Sequence, residues 1–78
     1  MNSAFEAFRK ETYKKLGLNI ARQRKEAGLT QEQLAEKIHI SKDYLGHIEA
    51  ENSEVYPSFD VLLRMAYFLE LPLEILLS

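Results

Sequence analysis

Apolar residues along the chain recur three and four positions apart, and no stretch of strand length alternates apolar with polar. That period is helical, so the pattern predicts an all-α fold. Ser3-Ala4-Phe5-Glu6 has capping-box form, with Ser3 accepting from a free backbone N–H and Glu6 reaching back. A first helix is then predicted from about residue 4 to about Ala27, through Phe5, Phe8, Tyr13, Leu16 and Ile20. Gly17 is expected to break or soften it, at about 1 kcal/mol relative to alanine. Gly28 supplies a helix-ending residue that tolerates positive φ.

Thr30 and Gln33 form a second capping box, opening a helix over 31–38 with Leu34, Ala35 and Ile38 inward. Ser41 is the next N-cap, for a helix over 42–50 with Leu45 and Ile48 on one face. The stretch ENSEVYP, residues 51–57, has no period and ends in proline, so it reads as a loop. Ser58 caps a fourth helix running to about Leu69. Its inner stripe is read as Phe59, Leu62, Leu63, Ala66 and Leu69, with a second apolar stripe of Val61, Met65 and Phe68. Pro72 falls in the first turn of a last short helix over 73–77, with Leu73, Ile75, Leu76 and Leu77.

Two short helices joined by a three-residue turn cannot lie antiparallel and must cross steeply. Ala35 is the small residue such a crossing needs, and Ile38, Ile40, Leu45 and Ile48 are its apolar pins. This is the geometry of the helix-turn-helix, whose second helix enters the major groove of DNA.

The stretches RQRKEAGLTQEQLAEKI, SKDYLGHIE and PSFDVLLRMAYFLELPLEILL resemble the phage repressor and Cro-like (XRE-type, lambda repressor-like) helix-turn-helix family. The resemblance covers residues 16–77. It implies a compact five-helix lambda repressor-like DNA-binding domain over 16–78, with the motif at 31–50, behind an N-terminal helical extension over 1–15. It also implies roles by position. Gln31 resembles a phosphate-contacting residue, in keeping with the free N–H groups and positive dipole end of a helix N-terminus. Ser41, Lys42, Asp43, Tyr44 and His47 occupy exposed positions of the recognition helix. Lys42 could donate to guanine O6 or N7, Asp43 accept from cytosine N4, and His47 donate to an acceptor on a purine edge. Arg24 and Glu49 resemble a structural ion pair tying the first helix to the end of the recognition helix, with Arg24 also near phosphate. Arg22 and Lys25 are expected as backbone neighbours.

Three features depart from the family pattern. His39 stands in the turn where the family usually has glycine, and is read as a turn residue that tolerates left-handed backbone. Gly46 lies mid-helix on the DNA-facing side, either for close approach of DNA or for packing clearance. Glu51 and Glu54 make the loop after the recognition helix acidic where basic residues are common. With Asp43 and Glu49 near, that end of the surface is expected to repel DNA, so affinity must come from Arg22, Arg24, Lys25, Lys42 and helix dipoles.

Composition narrows the alternatives. Residues 1–42 carry nine Lys and Arg against five Glu, whereas 43–78 carry Arg64 against seven acids, so local potential matters more than the net charge of −2. The chain has no cysteine, which excludes disulfides and thiolate metal sites. His39 and His47 have no further ligand at metal spacing, so neither a metal site nor a cofactor is expected. There is no Gly-rich phosphate loop, nucleophilic cysteine or HExxH pattern, and an enzyme is not expected. MNSAFEAFRK lacks signal-peptide form and no apolar run is long enough for a membrane span, so a cytoplasmic protein is expected.

The reading that follows is a sequence-specific transcriptional regulator, of bacterial or phage origin by the resemblance. It is expected to be a repressor that binds a palindromic operator in double-stranded DNA as a homodimer, through the helix at 42–50. The apolar LPLEILLS segment or the N-terminal extension would supply the two-fold interface. The extension's Phe5, Phe8 and Tyr13 are alternatively expected to cover the second stripe of the fourth helix. The competing reading is a protein-interaction or antitoxin-like module on the same fold, with a protein partner, favoured by the acidic C-terminal half and by Tyr44, Tyr56 and Tyr67.

Overall fold

The structure is a computed structural model and describes residues 2–78. Helix α1 (Ser3–Glu26) is followed by α2 (Gln31–Ile38), α3 (Lys42–Glu49), α4 (Phe59–Phe68) and α5 (Leu73–Leu77). Among the described residues there is no strand. Helix α1 begins one residue earlier than the capping pattern suggested. Asn2 rather than Ser3 is its N-cap, and the Asn2 side chain accepts from the Phe5 N–H at 2.8 Å. Asparagine caps as well as serine does, and the earlier residue wins the extra helical position.

Gly17 does not break α1, which runs for 24 residues. Its role is in packing. Gly17 is buried, and a Cβ there would run into the carbonyl oxygen of Ile48 near the end of α3. A side chain of any size would hold α1 and α3 apart, so the cost in helix propensity is offset by close backbone approach.

Helices α1, α2 and α4 stop by one shared device. A residue with left-handed backbone (Gly28 at φ 76°, His39 at 61°, Glu70 at 57°) follows each helix. The next residue then turns its N–H back to a carbonyl five positions earlier: Leu29 to Arg24 at 3.2 Å, Ile40 to Ala35 at 3.0 Å, Leu71 to Ala66 at 2.9 Å. This is the Schellman ending, in which an apolar residue packs under the helix it closes. Leu29, Ile40 and Leu71 are all half-buried against the core. Thr30 then caps α2 in a complete capping box, with Gln33 N–H to Thr30 Oγ1 at 3.1 Å and Thr30 N–H to Gln33 Oε1 at 2.8 Å.

The core gathers Ile20 of α1, Leu34, Ala35 and Ile38 of α2, Leu45 and Ile48 of α3, Val61, Leu62, Met65 and Ala66 of α4, then Leu69 and Leu76. Each valine, leucine, isoleucine or methionine among them stabilises the fold by about 1.5–3 kcal/mol when fully buried. The face of α4 differs from the one read in the sequence. Val61 and Met65 point inward with Leu62, Ala66 and Leu69, while Phe59, Leu63 and Phe68 are exposed. Apolar residues surround this helix, so periodicity alone could not choose its inner side. In α5, Pro72 is the N-cap and not a first-turn residue, and Leu76 alone is fully buried.

The N-terminal half of α1 does not cover α4. Phe5 and Phe8 are exposed. Tyr13 instead stacks on Tyr56 of the α3–α4 loop, ring centroids 4.0 Å apart, and the Arg9 guanidinium lies 4.4 Å from the Tyr56 ring centre. Lys14 adds an ion pair to Glu51 at 3.4 Å. The start of the chain therefore braces the loop that follows α3.

Replacing Gly17 with alanine is expected to lower the unfolding free energy by about 1–3 kcal/mol, as overpacking does, despite alanine's better helix propensity. Urea unfolding measures this, and an unchanged or raised stability would mean that α1 and α3 do not meet so closely.

Candidate nucleic-acid interface

Helix α3 is a short rod set at the surface by its own sequence. Ser41 Oγ accepts from the Tyr44 N–H at 3.0 Å and starts the helix; Leu45 and Ile48 are buried and fix its inner side. That leaves Lys42, Asp43 and His47 exposed on the outside, with Ser41 exposed beside them. Lys42, Asp43, Gly46, His47 and Ala50 line one shallow depression together with Gln31 from the first turn of α2. The depression thus joins the outer side of α3 to the N-terminus of α2, where backbone N–H groups are free for an anion.

Behind it lies an ion pair. Arg24 Nε donates to Glu49 Oε2 at 2.8 Å, and Arg24 Nη2 donates to Glu49 Oε1 at 2.9 Å. Arg24 Nη1 donates to the Leu29 carbonyl at 2.7 Å. Gln31 Nε2 also donates to Glu49 Oε1, at 3.0 Å. One carboxylate at the end of α3 is therefore held by α1 and α2 together. The hydrogen bond that Arg24 donates to Glu49 raises the Arg24 pKa above its ordinary value, burial works against it, and the Glu49 charge adds to the rise. A raised folded-state pKa contributes stability that is present below the ordinary arginine pKa and lost only as pH climbs through the folded one. The pair therefore contributes no pH dependence from the arginine side near neutrality.

The remaining residues named from the sequence divide. Arg24 is 7% exposed and its guanidinium faces Glu49 and Leu29, which sets it inside the fold and not on the open face. Tyr44 is half-buried against the core, and its hydroxyl donates to the Tyr56 carbonyl at 3.2 Å. Arg22 is exposed but lines a different hollow, with Lys15, Leu18, Asn19 and Ser78, and donates to Asn19 Oδ1. Lys25 is exposed in the last turn of α1. The acidic loop is softened as well, since Glu49 is paired with Arg24 and Glu51 with Lys14.

Gly46 has a clearer reading than its sequence gave. A Cβ there would meet only Gln31 Oε1, at 3.6 Å, an ordinary contact. Packing within the domain does not require glycine at this position. Sequence reasoning missed the Tyr13–Tyr56–Arg9 brace and the buried Asn19. Asn19 donates to the Ile75 and Leu76 carbonyls at 2.9 and 2.8 Å and fastens α5 to α1. Nothing local signals contacts between residues so distant in the chain.

Two short helices joined by a three-residue turn, packed on one another through Ala35, Ile38, Leu45 and Ile48 and with an exposed polar second helix, are the architecture of a helix-turn-helix DNA-binding domain. A family model for the helix-turn-helix matches residues 20–76, and the chain belongs to this family, the XRE-type, lambda repressor-like proteins. A search of curated proteins returned no match. The family is one of DNA-binding regulators. Among the described residues no helix is long and apolar enough to cross a membrane, and no group of His, Asp or Glu is arranged to hold a metal.

Glu49→Ala is expected to cost about 3–5 kcal/mol of stability, because it strands the Arg24 charge inside the fold. Gln31→Ala, which leaves the pair intact, is expected to cost about 1 kcal/mol, that of one hydrogen bond. Denaturant midpoints of the two variants measure the difference, and equal losses would show that the pair does not carry this end of α3.

Proposed function

We propose that the chain is a sequence-specific transcriptional regulator of the cytoplasm, a repressor that binds a palindromic operator as a homodimer. The observation that carries this reading is the joint exposure of Lys42, Asp43 and His47 around the depression shared with Gln31. A cation, an anion and an imidazole on one helix side can read guanine, cytosine and purine edges in the major groove. Gln31 and the N-terminus of α2 would position the domain on phosphate. Ser41 retains a hydroxyl proton to donate beside them, and Lys25 is an available cation on α1. Arg24 and Tyr44 act in this reading by holding α3, not by touching DNA. Arg22 would reach phosphate only beyond the edge of the depression. No cofactor is part of it.

One helix reads few base pairs, so two copies are required, with half-sites about 34 Å apart on one side of the duplex. Selection of bound fragments from a random duplex library is expected to return a two-fold symmetric site with that spacing. Failure to enrich any sequence would overturn the reading. With few cations at the depression, the slope of log K against log salt is expected to be shallow; a slope worth about ten phosphates would contradict it.

Gly46→Ala separates DNA contact from packing. Alanine is expected to stabilise the fold by about 0.5–1 kcal/mol, since the space is open. The same change is expected to weaken operator binding, by filling the floor of the depression. Thermal melts and gel-shift titrations on one preparation read both effects, and binding that strengthens with stability would remove Gly46 from the interface.

The protein-interaction reading keeps one specific support. Of the three tyrosines that favoured it, Tyr44 and Tyr56 are half-buried, while Tyr67 is largely exposed.

A further inference from the structure

The outward side of α4 is an exposed apolar surface that the proposed function leaves unused. Phe59, Leu63 and Tyr67 stand four residues apart and are 62%, 45% and 76% exposed. At i, i+4 and i+8 they form one continuous stripe along the helix. Aromatic side chains of this size carry 150–250 Å² each, so the stripe shows water on the order of 400 Å² of largely apolar surface. That falls within the range of about 300–600 Å² for the largest patch on a typical monomer, which is often functional.

We propose that this side of α4 is where a second copy of the chain docks, the two α4 helices antiparallel with Leu63 on the two-fold axis. Three observations select a second copy as the occupant. The stripe reads aromatic–leucine–aromatic and is therefore symmetric about Leu63. An antiparallel pairing sets Phe59 of each copy against Tyr67 of the other, the self-complementarity that an isologous interface demands. The area is sufficient: two stripes together bury on the order of 800 Å², and their flanking atoms bring this to the roughly 1,000 Å² that a specific interface needs. The charge is compatible, although the C-terminal half of the chain is acidic. The charged pair beside the stripe cancels, Arg64 Nη2 lying 2.7 Å from Asp60 Oδ2.

Docking here leaves the DNA-facing side open. Helix α4 packs chiefly on α2 and α5, whereas α3 packs on α1 and α2, so α2 stands between the stripe and Lys42, Asp43 and His47. Neither surface named from the sequence fits as well. In LPLEILLS, Leu76 is in the core, Leu71 and Leu73 are half-buried and only Ile75 and Leu77 are exposed; in the extension, Phe5 and Phe8 are exposed but Tyr13 is committed to Tyr56. The proposal supplies the surface for the homodimer of the proposed function and rests on that reading only in asking for two copies.

Sedimentation velocity of the full chain without DNA, across the micromolar range, tests it. A concentration-dependent dimer is expected. Leu63→Glu, which sets two carboxylates face to face on the axis, is expected to weaken it by roughly a hundredfold. Phe8→Glu and Leu77→Glu, on the other exposed apolar sites, are expected to leave it unchanged. Phe59→Ser stands in if thermal melting shows that Leu63→Glu does not fold. The chain has no cysteine, so a Leu63→Cys variant is expected to oxidise to a single covalent dimer. A chain that stays monomeric, alone or bound to a different protein, overturns the proposal. So does a dimer that survives Leu63→Glu, or one broken by Phe8→Glu or Leu77→Glu. A dimer broken as expected but without sequence preference would sink the DNA reading alone; a monomer that reads a half-site would sink this proposal alone.

Discussion

The carboxylate of Glu49 is the point on which the arrangement of the first three helices depends. It sits at the C-terminal end of α3, where the helix dipole disfavours negative charge. Left unpaired there, with its side chain buried, it would cost several kcal/mol. Arg24 answers it with two hydrogen bonds from α1 and Gln31 with one from α2. The other Arg24 nitrogen takes the Leu29 carbonyl at the joint between α1 and α2. A planar guanidinium has fixed donor directions, so satisfying both acceptors sets α3 in rotation as well as position. Gly17 closes the same corner from behind, where nothing larger than hydrogen fits against the Ile48 carbonyl. The ion pair also keeps the Glu49 charge from the open surface, which is less repulsive to a polyanion than its acid count suggests.

The angle between α2 and α3 comes from a second constraint, the left-handed residue at His39. The same ending serves at Gly28 and Glu70, and in each case the apolar residue that follows is pulled under the fold. Glycine adopts such backbone freely, whereas His and Glu carry a strain of about 1–2 kcal/mol. The chain tolerates that strain twice because Ile40 and Leu71 gain burial in return. A tight turn with a packed residue beneath it has few ways to hinge.

Much of this was legible in the sequence because its causes are local. Thr30 with Gln33, Ser41 and Ser58 announce helix starts through hydrogen bonds that span three residues, and Gly28 and His39 announce stops. Leu34, Ala35, Ile38, Leu45 and Ile48 repeat at helical spacing on helices with polar outer sides, so their burial could be read directly. Helix α4 could not be read this way. Apolar residues occupy most of its circumference, and the choice of inner side is made by α2 and α5. The cap of α1 slipped by one residue because Asn2 and Ser3 are both good caps. Gly17 looked like a weak point since its partner, Ile48, lies in another helix, and the Tyr13–Tyr56 stack is non-local in the same way. Gln31, the exposed residues of α3 and the Arg24–Glu49 pair could be picked out by position, but Tyr44 could not be withdrawn from the surface until its partner was in view.

The internal uses of these side chains shape what the domain can do at DNA. Arg24 is occupied by Glu49 and Lys14 by Glu51, so two cations of the basic half do not face outward freely. Around the depression, Lys42 is the one full cation, and Asp43 stands next to it. Nonspecific attraction to phosphate scales with the number of free cations, while discrimination scales with the base-edge groups that must be matched. On the proposed reading a single copy is therefore selective but weak. Joining two copies makes the second contact intramolecular, which raises affinity without adding any positive charge. On that reading an acidic regulator of this kind depends on its symmetry more than a basic one would, because each copy would have few phosphate contacts with which to hold DNA alone.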